Sequence, residues 1–224
     1  MQIEASHIAV VLLMAGQSRR MGQEKLALPW KGTSLGRHSL DVLAEAFPHS
    51  YKVAVERPDM ADKNYPFVHG FVSVVNPHPR DGQASSLRLG LGQVVKEYSR
   101  EDSERGLLQG VLCAVADQPF LDVDTLQALM EAFQEAVAID RKAIVVPVYE
   151  PHKTRGNPVL FSSYWVERLA LLEGDQGGRA ILQGPGADHI VEVQIDAIDG
   201  LSKGLDVDTP EAYKVLQAYA NGVK

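Results

Sequence analysis

The 224-residue chain is short of several things, and each shortage narrows what it can be. It has one cysteine, Cys113, so no disulfide framework can form within it, and a reducing cytoplasm is the expected compartment. It has no surplus of positive charge: 22 Lys+Arg stand against 29 Asp+Glu, a net charge of −7. A general nucleic-acid binder meets phosphates with a basic surface, so no nucleic-acid partner is expected. No apolar run is long enough to cross a bilayer, and the first one follows Glu4 rather than a basic segment. Neither a membrane nor a targeting signal is therefore expected. The seven histidines fall singly, without H-E-x-x-H or a Cys/His cluster, which argues against zinc. G-x-S-x-G, G-x-G-x-x-G and the Walker loop are missing too, along with the hydrolase, dinucleotide and P-loop chemistries they serve.

What is present is an ordinary globular composition, 45% hydrophobic and 23% charged, in a length that suits one large α/β domain. With no linker or repeat, residues 1–224 are read as a single domain. The stretch 8–28 organises it. Ile8-Ala9-Val10-Val11-Leu12-Leu13 is a continuous apolar run that suits a strand buried on both faces. A loop from Gly16 through Ser18, Arg20 and Gly22 to Lys25 follows. Open α/β sheets place ligands at such carboxyl ends, and the two glycines allow φ > 0, so backbone N–H groups can face an anion. Arg20 and Lys25 can add charge to that anion, which points to triphosphate binding.

Further along, helical spacing predicts a helix from a Ser34 cap to about residue 47, after a turn at 29–33. Strands are predicted at 51–55, 71–75, 107–116, 143–148 and 191–195, and Arg57-Pro58-Asp59 reads as a turn. After the third strand, Gly82-Gln83-Ala84-Ser85-Ser86 opens a helix. Ser85 and Ser86 can cap it or offer themselves to a ligand at its first turn. Asp117 stands at the end of the strand predicted at 107–116, where a carboxylate can hold a metal beside the first loop; the alternative is a turn-former before proline. Asp122 or Asp124 caps the next helix, to about residue 137, and Thr209 with Pro210 starts the last one. Cys113 reads as a small core residue. Alternating strands and helices predict a mostly parallel sheet covered on both faces.

Several motifs carry a resemblance. Leu13-Met14-Ala15-Gly16-Gln17-Ser18-Arg19-Arg20-Met21-Gly22-Gln23-Glu24-Lys25 resembles the L-x-A-G-x-S-x-R-M-G-x-x-K signature of the MobA-like nucleotidyltransferases. Those enzymes attach a nucleotide to molybdopterin or its molybdenum complex. Ala116-Asp117-Gln118-Pro119-Phe120-Leu121 resembles the family's A-D-Q-P-x-L, and Leu205–Glu211 its closing D-x-D-T-P-E. Together the motifs cover 10–213 in the correct order. The resemblance implies a three-layer Rossmann-like nucleotidyltransferase fold, Mg²⁺ as cofactor and Asp117 as its ligand, with Asp206 or Asp208. Those two aspartates alternate along an extended segment, so only one of them is expected to face the site.

The resemblance further implies that Lys25, Arg20 and Asp117 are catalytic. Leu13, Ala15, Gly16, Ser18, Gly22, Lys25, Gly82, Ser85 and Ser86 would contact the nucleotide. The segment Arg155-Gly156-Asn157-Pro158 resembles the family's R-G-x-P near the acceptor, although Asn157 stands where His is frequent. Gly177 and Arg179, in a G-D-x-G-x-R-like turn, could bind a pterin phosphate, or Arg179 could simply pair with Asp175. Ala15 and the Ser85-Ser86 segment look like the cytidylyl branch, favouring CTP. A molybdenum hydroxylase is a possible downstream partner. The other readings are a transferase of the same fold using a sugar or polyol phosphate, and a non-catalytic molybdenum cofactor carrier.

Overall fold

A computed structural model describes residues 7–61, 70–101, 103, 105–174 and 177–222. At its centre lies the strand predicted around residue 10, β1 (Ile8–Leu13), whose first five residues are fully buried. Its alternate side chains feed two different cores. Ile8, Val10 and Leu12 enter one cluster, Ala9 and Val11 the other, which is why the run is apolar without alternation.

The chain then makes a small hairpin, β2 (Pro29–Trp30) and β3 (Thr33–Ser34), where the sequence suggested only a turn. Lys31 and Gly32 at its tip both take positive φ. Ser34 also caps α1 (Leu35–Ala46), accepting from the Arg37 amide at 3.3 Å, and Leu35, Leu40 and Leu43 bury the inner face. Next come β4 (Tyr51–Glu56), the short helix α2 (Pro58–Ala61) in place of the expected turn, and β5 (Phe71–Val75).

Helix α3 (Gln83–Tyr98) lies against β1 and β4. Its Gly90 permits the approach: a Cβ there would stand 2.5 Å from Val11 Cγ1. Strand β6 (Gly110–Val115) is shorter than expected because residues 107–109 have left the ladder, with Leu107 largely exposed. Asp122 caps α4 (Val123–Ile139) through the Thr125 amide at 2.9 Å.

The remaining elements are β7 (Ile144–Tyr149), β8 (Thr154–Arg155), β9 (Val159–Ser162), α5 (Val166–Ala170), α6 (Arg179–Leu182), β10 (Ile190–Ile195) and α7 (Pro210–Ala220). The main sheet runs β10-β7-β9-β6-β1-β4-β5, with β8 paired to β7. It is parallel except at β9, which runs antiparallel to both neighbours, and at the small β8. α1 and α4 cover one face, α3 and α5 the other. This is the three-layer, mostly parallel arrangement expected. β4 and β5 extend the sheet to one side of β1, while β6 pairs on the other. The topological switch therefore falls between β1 and β6, where open α/β sheets bind ligands. α7 closes over the hairpin through a third cluster of Trp30, Leu35, Phe120, Val207 and Leu216. Among the described residues no helix is long and apolar enough to cross a membrane.

Candidate active site

A cleft of about 370 Å³ opens at that switch point. Leu13, Ala15, Gly16, Ser18, Arg20 and Lys25 line it from the first loop. Gly82 and Ser86 line it from the start of α3, and Asp117 and Asp208 from across the sheet. The loop geometry departs from expectation in one respect. Gly22 takes positive φ (67°), but the second left-handed residue is Ser18 (48°) rather than Gly16. Gly22 itself lines an adjoining cavity with Ser18 and Arg57. A Cβ on Gly16 would meet no protein atom, so its backbone lies open to the cleft.

Neither serine of α3 is its N-cap. Gly82 holds that position, with φ 89° and ψ 176°, a conformation that only glycine adopts readily. Ser85 and Ser86 stand in the first turn, both held by Asn76 Nδ2 at 2.9 Å. Ser85 spends its own proton on the Gly82 carbonyl at 2.8 Å and lies outside the cleft, whereas Ser86 is in its wall.

The charges converge. Lys25, only 8% exposed, donates from Nζ to Asp208 Oδ1 at 2.7 Å and to Asp117 Oδ2. Arg20 Nη2 reaches Asp208 Oδ2 at 2.5 Å. Burial alone would depress the Lys25 ammonium, but Asp117 and Asp208 outweigh it and hold its pKa above the usual lysine value. Asp208 is likewise opposed by burial, and Lys25 with Arg20 holds it below the carboxylate range.

Asp206 is exposed on one side, yet protein crowds its other sides. That burial, followed by the negative charges of Asp117 and Asp208, pushes its pKa up to about 7. Of the two aspartates, Asp208 lines the cleft and Asp206 does not. The chain turns tightly between them, the Asp208 amide bonding the Asp206 carbonyl at 3.1 Å, and the Val207 side chain at the turn is fully buried. The Val207 amide bonds the Asp117 carbonyl at 3.0 Å and docks this segment on the strand end.

A second cavity, about 520 Å³, shares Leu13, Gln83 and Val115 with the first. Arg155, Gly156, Asn157 and Arg179 stand round it, above a floor that includes Leu87, Cys113, Val159 and Phe161. Arg155 is tied to Glu192 at 2.6 Å. Pro158 follows a cis peptide beside the cavity without lining it. Gly177 does not line it either: it packs on Gln83, whose Oε1 would lie 2.4 Å from an added Cβ. Asp175, the alternative partner for Arg179, lies outside the described residues. Cys113 is buried, which pushes its thiol up to about 12 and leaves it inert.

Residues 10–193 match the model of the MobA-like NTP transferase domain. The chain belongs to this family. Across 227 aligned positions it is 30% identical to the purine catabolism protein PucB of Bacillus subtilis, covering 96% of this chain and 98% of that one. It is 27% identical over 140 residues to a probable molybdenum cofactor guanylyltransferase of Mycobacterium tuberculosis, covering 62% and 61%. The crystal structure of Rv0371c from Mycobacterium tuberculosis superposes with a TM-score of 0.72 at 27% identity, covering 96% and 98% of the two chains. The protein is thus a nucleotidyltransferase of the MobA-like type. The family match ends before Asp208, which reaches the cleft from outside the matched segment.

Two features of this MobA-like cleft were not singled out in the sequence. Arg57 is 9% exposed and grips the first loop, and Asn76 organises the start of α3. Both stand just past a strand end, next to a proline, and that position was the available signal.

The donors for a divalent metal are incomplete by themselves. Among the described residues no three His, Cys, Asp or Glu side chains are grouped to hold an ion. Asp117 Oδ1, however, is buried with no hydrogen-bond partner among them, and Asp206, its pKa raised by burial and then by the charges of Asp117 and Asp208, stands close by. Magnesium commonly takes one or two carboxylates, with waters and substrate phosphates completing its shell. This donor set fits a metal that arrives with a nucleotide.

Proposed function

We propose that the protein transfers CMP from CTP to the terminal phosphate of molybdopterin or its molybdenum complex, releasing pyrophosphate. The observation that carries this reading is the meeting of Lys25, Arg20, Asp117 and Asp208 at the strand ends beside an open glycine loop. In the reaction an acceptor phosphate oxygen attacks the α-phosphorus in line. A P–O bond forms there as the bond to the β-phosphate breaks, and no covalent enzyme intermediate is needed.

Two anions must be aligned and the charge growing on pyrophosphate offset, so positioning and electrostatics supply most of the catalysis. Arg20 and the amides of the loop hold the β- and γ-phosphates. Lys25 exchanges its carboxylate partners for the phosphates of both reactants. Asp117, with Asp206 and Asp208, is the proposed holder of Mg²⁺, which when bound neutralises phosphate charge. The second cavity takes the acceptor, its apolar floor under the ring system and Arg179 toward the phosphate. Residues 1–224 act as one nucleotidyltransferase domain in this reading.

Ala15 supports CTP. It is 5% exposed in the cleft wall, and its methyl fills space where a guanine would need room. A molybdenum hydroxylase is the proposed consumer of the product, and the name of the purine-catabolism relative supports a place in purine breakdown. The deciding assay is pyrophosphate release with each of four nucleotides, with and without molybdenum cofactor, followed by mass spectrometry of the product. The expected result is a CMP adduct, with CTP favoured over GTP by about 10-fold in kcat/KM, or about 1.4 kcal/mol. A dominant GMP adduct overturns the nucleotide assignment, and an ATP or UTP adduct the acceptor. If no nucleotide is consumed while a pterin absorbance co-purifies, the protein is a carrier instead.

A further inference from the structure

Arg57 stands just past β4, next to the loop that leaves β1. The ladder between these parallel strands continues one step beyond β1, with the Met14 amide on the Val55 carbonyl at 2.8 Å. This places the Arg57 guanidinium beside both ends of the first loop. Asp59 fixes the guanidinium from its own side, accepting from Nε at 2.9 Å and from Nη2 at 3.2 Å. Nη1 donates to the Gly16 carbonyl, where the loop begins, and Nη2 to Glu24 Oε2, where it ends.

Glu24 passes the constraint on. Its Oε1 accepts from the Leu26 amide at 3.1 Å and caps the turn that carries Lys25. The same oxygen lies 3.5 Å from Ser18 Oγ, which accepts from the Lys25 amide at 3.3 Å. One buried arginine thus spans nine residues of the loop, from its first glycine to the residue before Lys25. A planar fork of five donors on three nitrogens can reach acceptors spread this widely, whereas the three donors of a lysine all radiate from one atom.

We propose that Arg57, through Glu24, is a positioning residue: it fixes the 16–25 loop so that Lys25 Nζ is delivered to the transferring phosphates. The inference rests on the nucleotidyl-transfer reading above. A misplacement near 1 Å by a residue remote from the chemistry costs about 10²-fold in rate. Arg57→Ala is therefore expected to lower kcat by about 10²-fold while changing the KM for CTP less than about 3-fold. Glu24→Gln should do the same, and the double variant should be no worse than the slower single one, because both break one chain of contacts. Arg57→Lys, which keeps charge and bulk, should recover only part of the rate.

Amide hydrogen exchange across 16–26 provides a readout that needs no activity, and it should quicken in all three single variants at unchanged global unfolding midpoint. Full kcat in folded Arg57→Ala or Glu24→Gln, additive losses in the double variant, or unchanged loop exchange overturns the proposal. Should Arg57→Ala fail to fold, Glu24→Gln and Arg57→Lys carry the same readings. A wild-type protein that transfers no nucleotide overturns the functional reading. In that case loop exchange alone decides the brace, faster exchange supporting it and unchanged exchange removing it.

Discussion

The two neighbouring cavities pair their charges differently. In the first, Lys25 sits between Asp117 and Asp208, and Arg20 holds the outer oxygen of Asp208. In the second, apolar Leu87, Val159 and Phe161 face polar Arg155, Asn157 and Arg179, and among the described residues Arg179 has no ion-pair partner. A charged cluster kept in balance can trade carboxylate for phosphate without leaving a buried charge bare, which would be costly. An apolar floor with charge at its rim instead favours a flat ring carrying an anionic tail. Under the proposed function, the first cavity carries the chemistry and the second chooses the acceptor.

That contrast breaks most sharply at Asp117. Asp117→Ala should leave the fold standing, since the Val207 docking bond uses the backbone carbonyl, and reduce turnover by ~10³-fold or more. Near-normal turnover in the folded variant would remove Asp117 from the site. The next effect expected is at Lys25. Lys25→Ala should lower turnover by ~10²-fold and weaken nucleotide binding as well, because a charge that touches both reactants serves affinity and alignment together. Kinetics beside isothermal titration tests this, and a change confined to thermal stability would make Lys25 structural.

Arg179 probes the other cavity. Arg179→Ala should raise the acceptor KM by about 10-fold with kcat little changed, the mark of uniform binding. A drop in kcat at unchanged KM would instead place Arg179 with the chemistry and erase the division between the cavities. The smallest effect belongs to Ala15. Ala15→Gly should narrow the CTP-to-GTP ratio by a few-fold, since a methyl-sized difference in a pocket is worth ~1–3 kcal/mol at most. Competition between the two nucleotides measures it, and an unmoved ratio shifts nucleotide choice to other residues of the cleft.

Much of the molecule was legible in the chain alone. The apolar run at β1, the caps Ser34, Asp122 and Thr209, and the core stripe of α1 are local patterns, and local sterics and hydrogen bonds decide them. The MobA-like motifs named the family because loop chemistry at strand ends is written in consecutive residues. What stayed illegible depends on pairs far apart in sequence. Nothing local shows that β9 enters the sheet antiparallel, or that Gly82 rather than a serine caps α3. Nor does it show that Arg57 would span a loop 33 residues before it to reach Glu24.

The same division holds at the cleft. Residue types and spacing by themselves determined that a basic glycine loop and an acidic strand end exist, because such patterns survive in one dimension. Only the tertiary structure decided that Asp208 lines the cleft, that Lys25 rests between two carboxylates 92 and 183 residues away, and that Arg57 is buried. Burial and charge pairing are set by what packs around a group, and the parallel crossovers bring that company from the whole length of the chain.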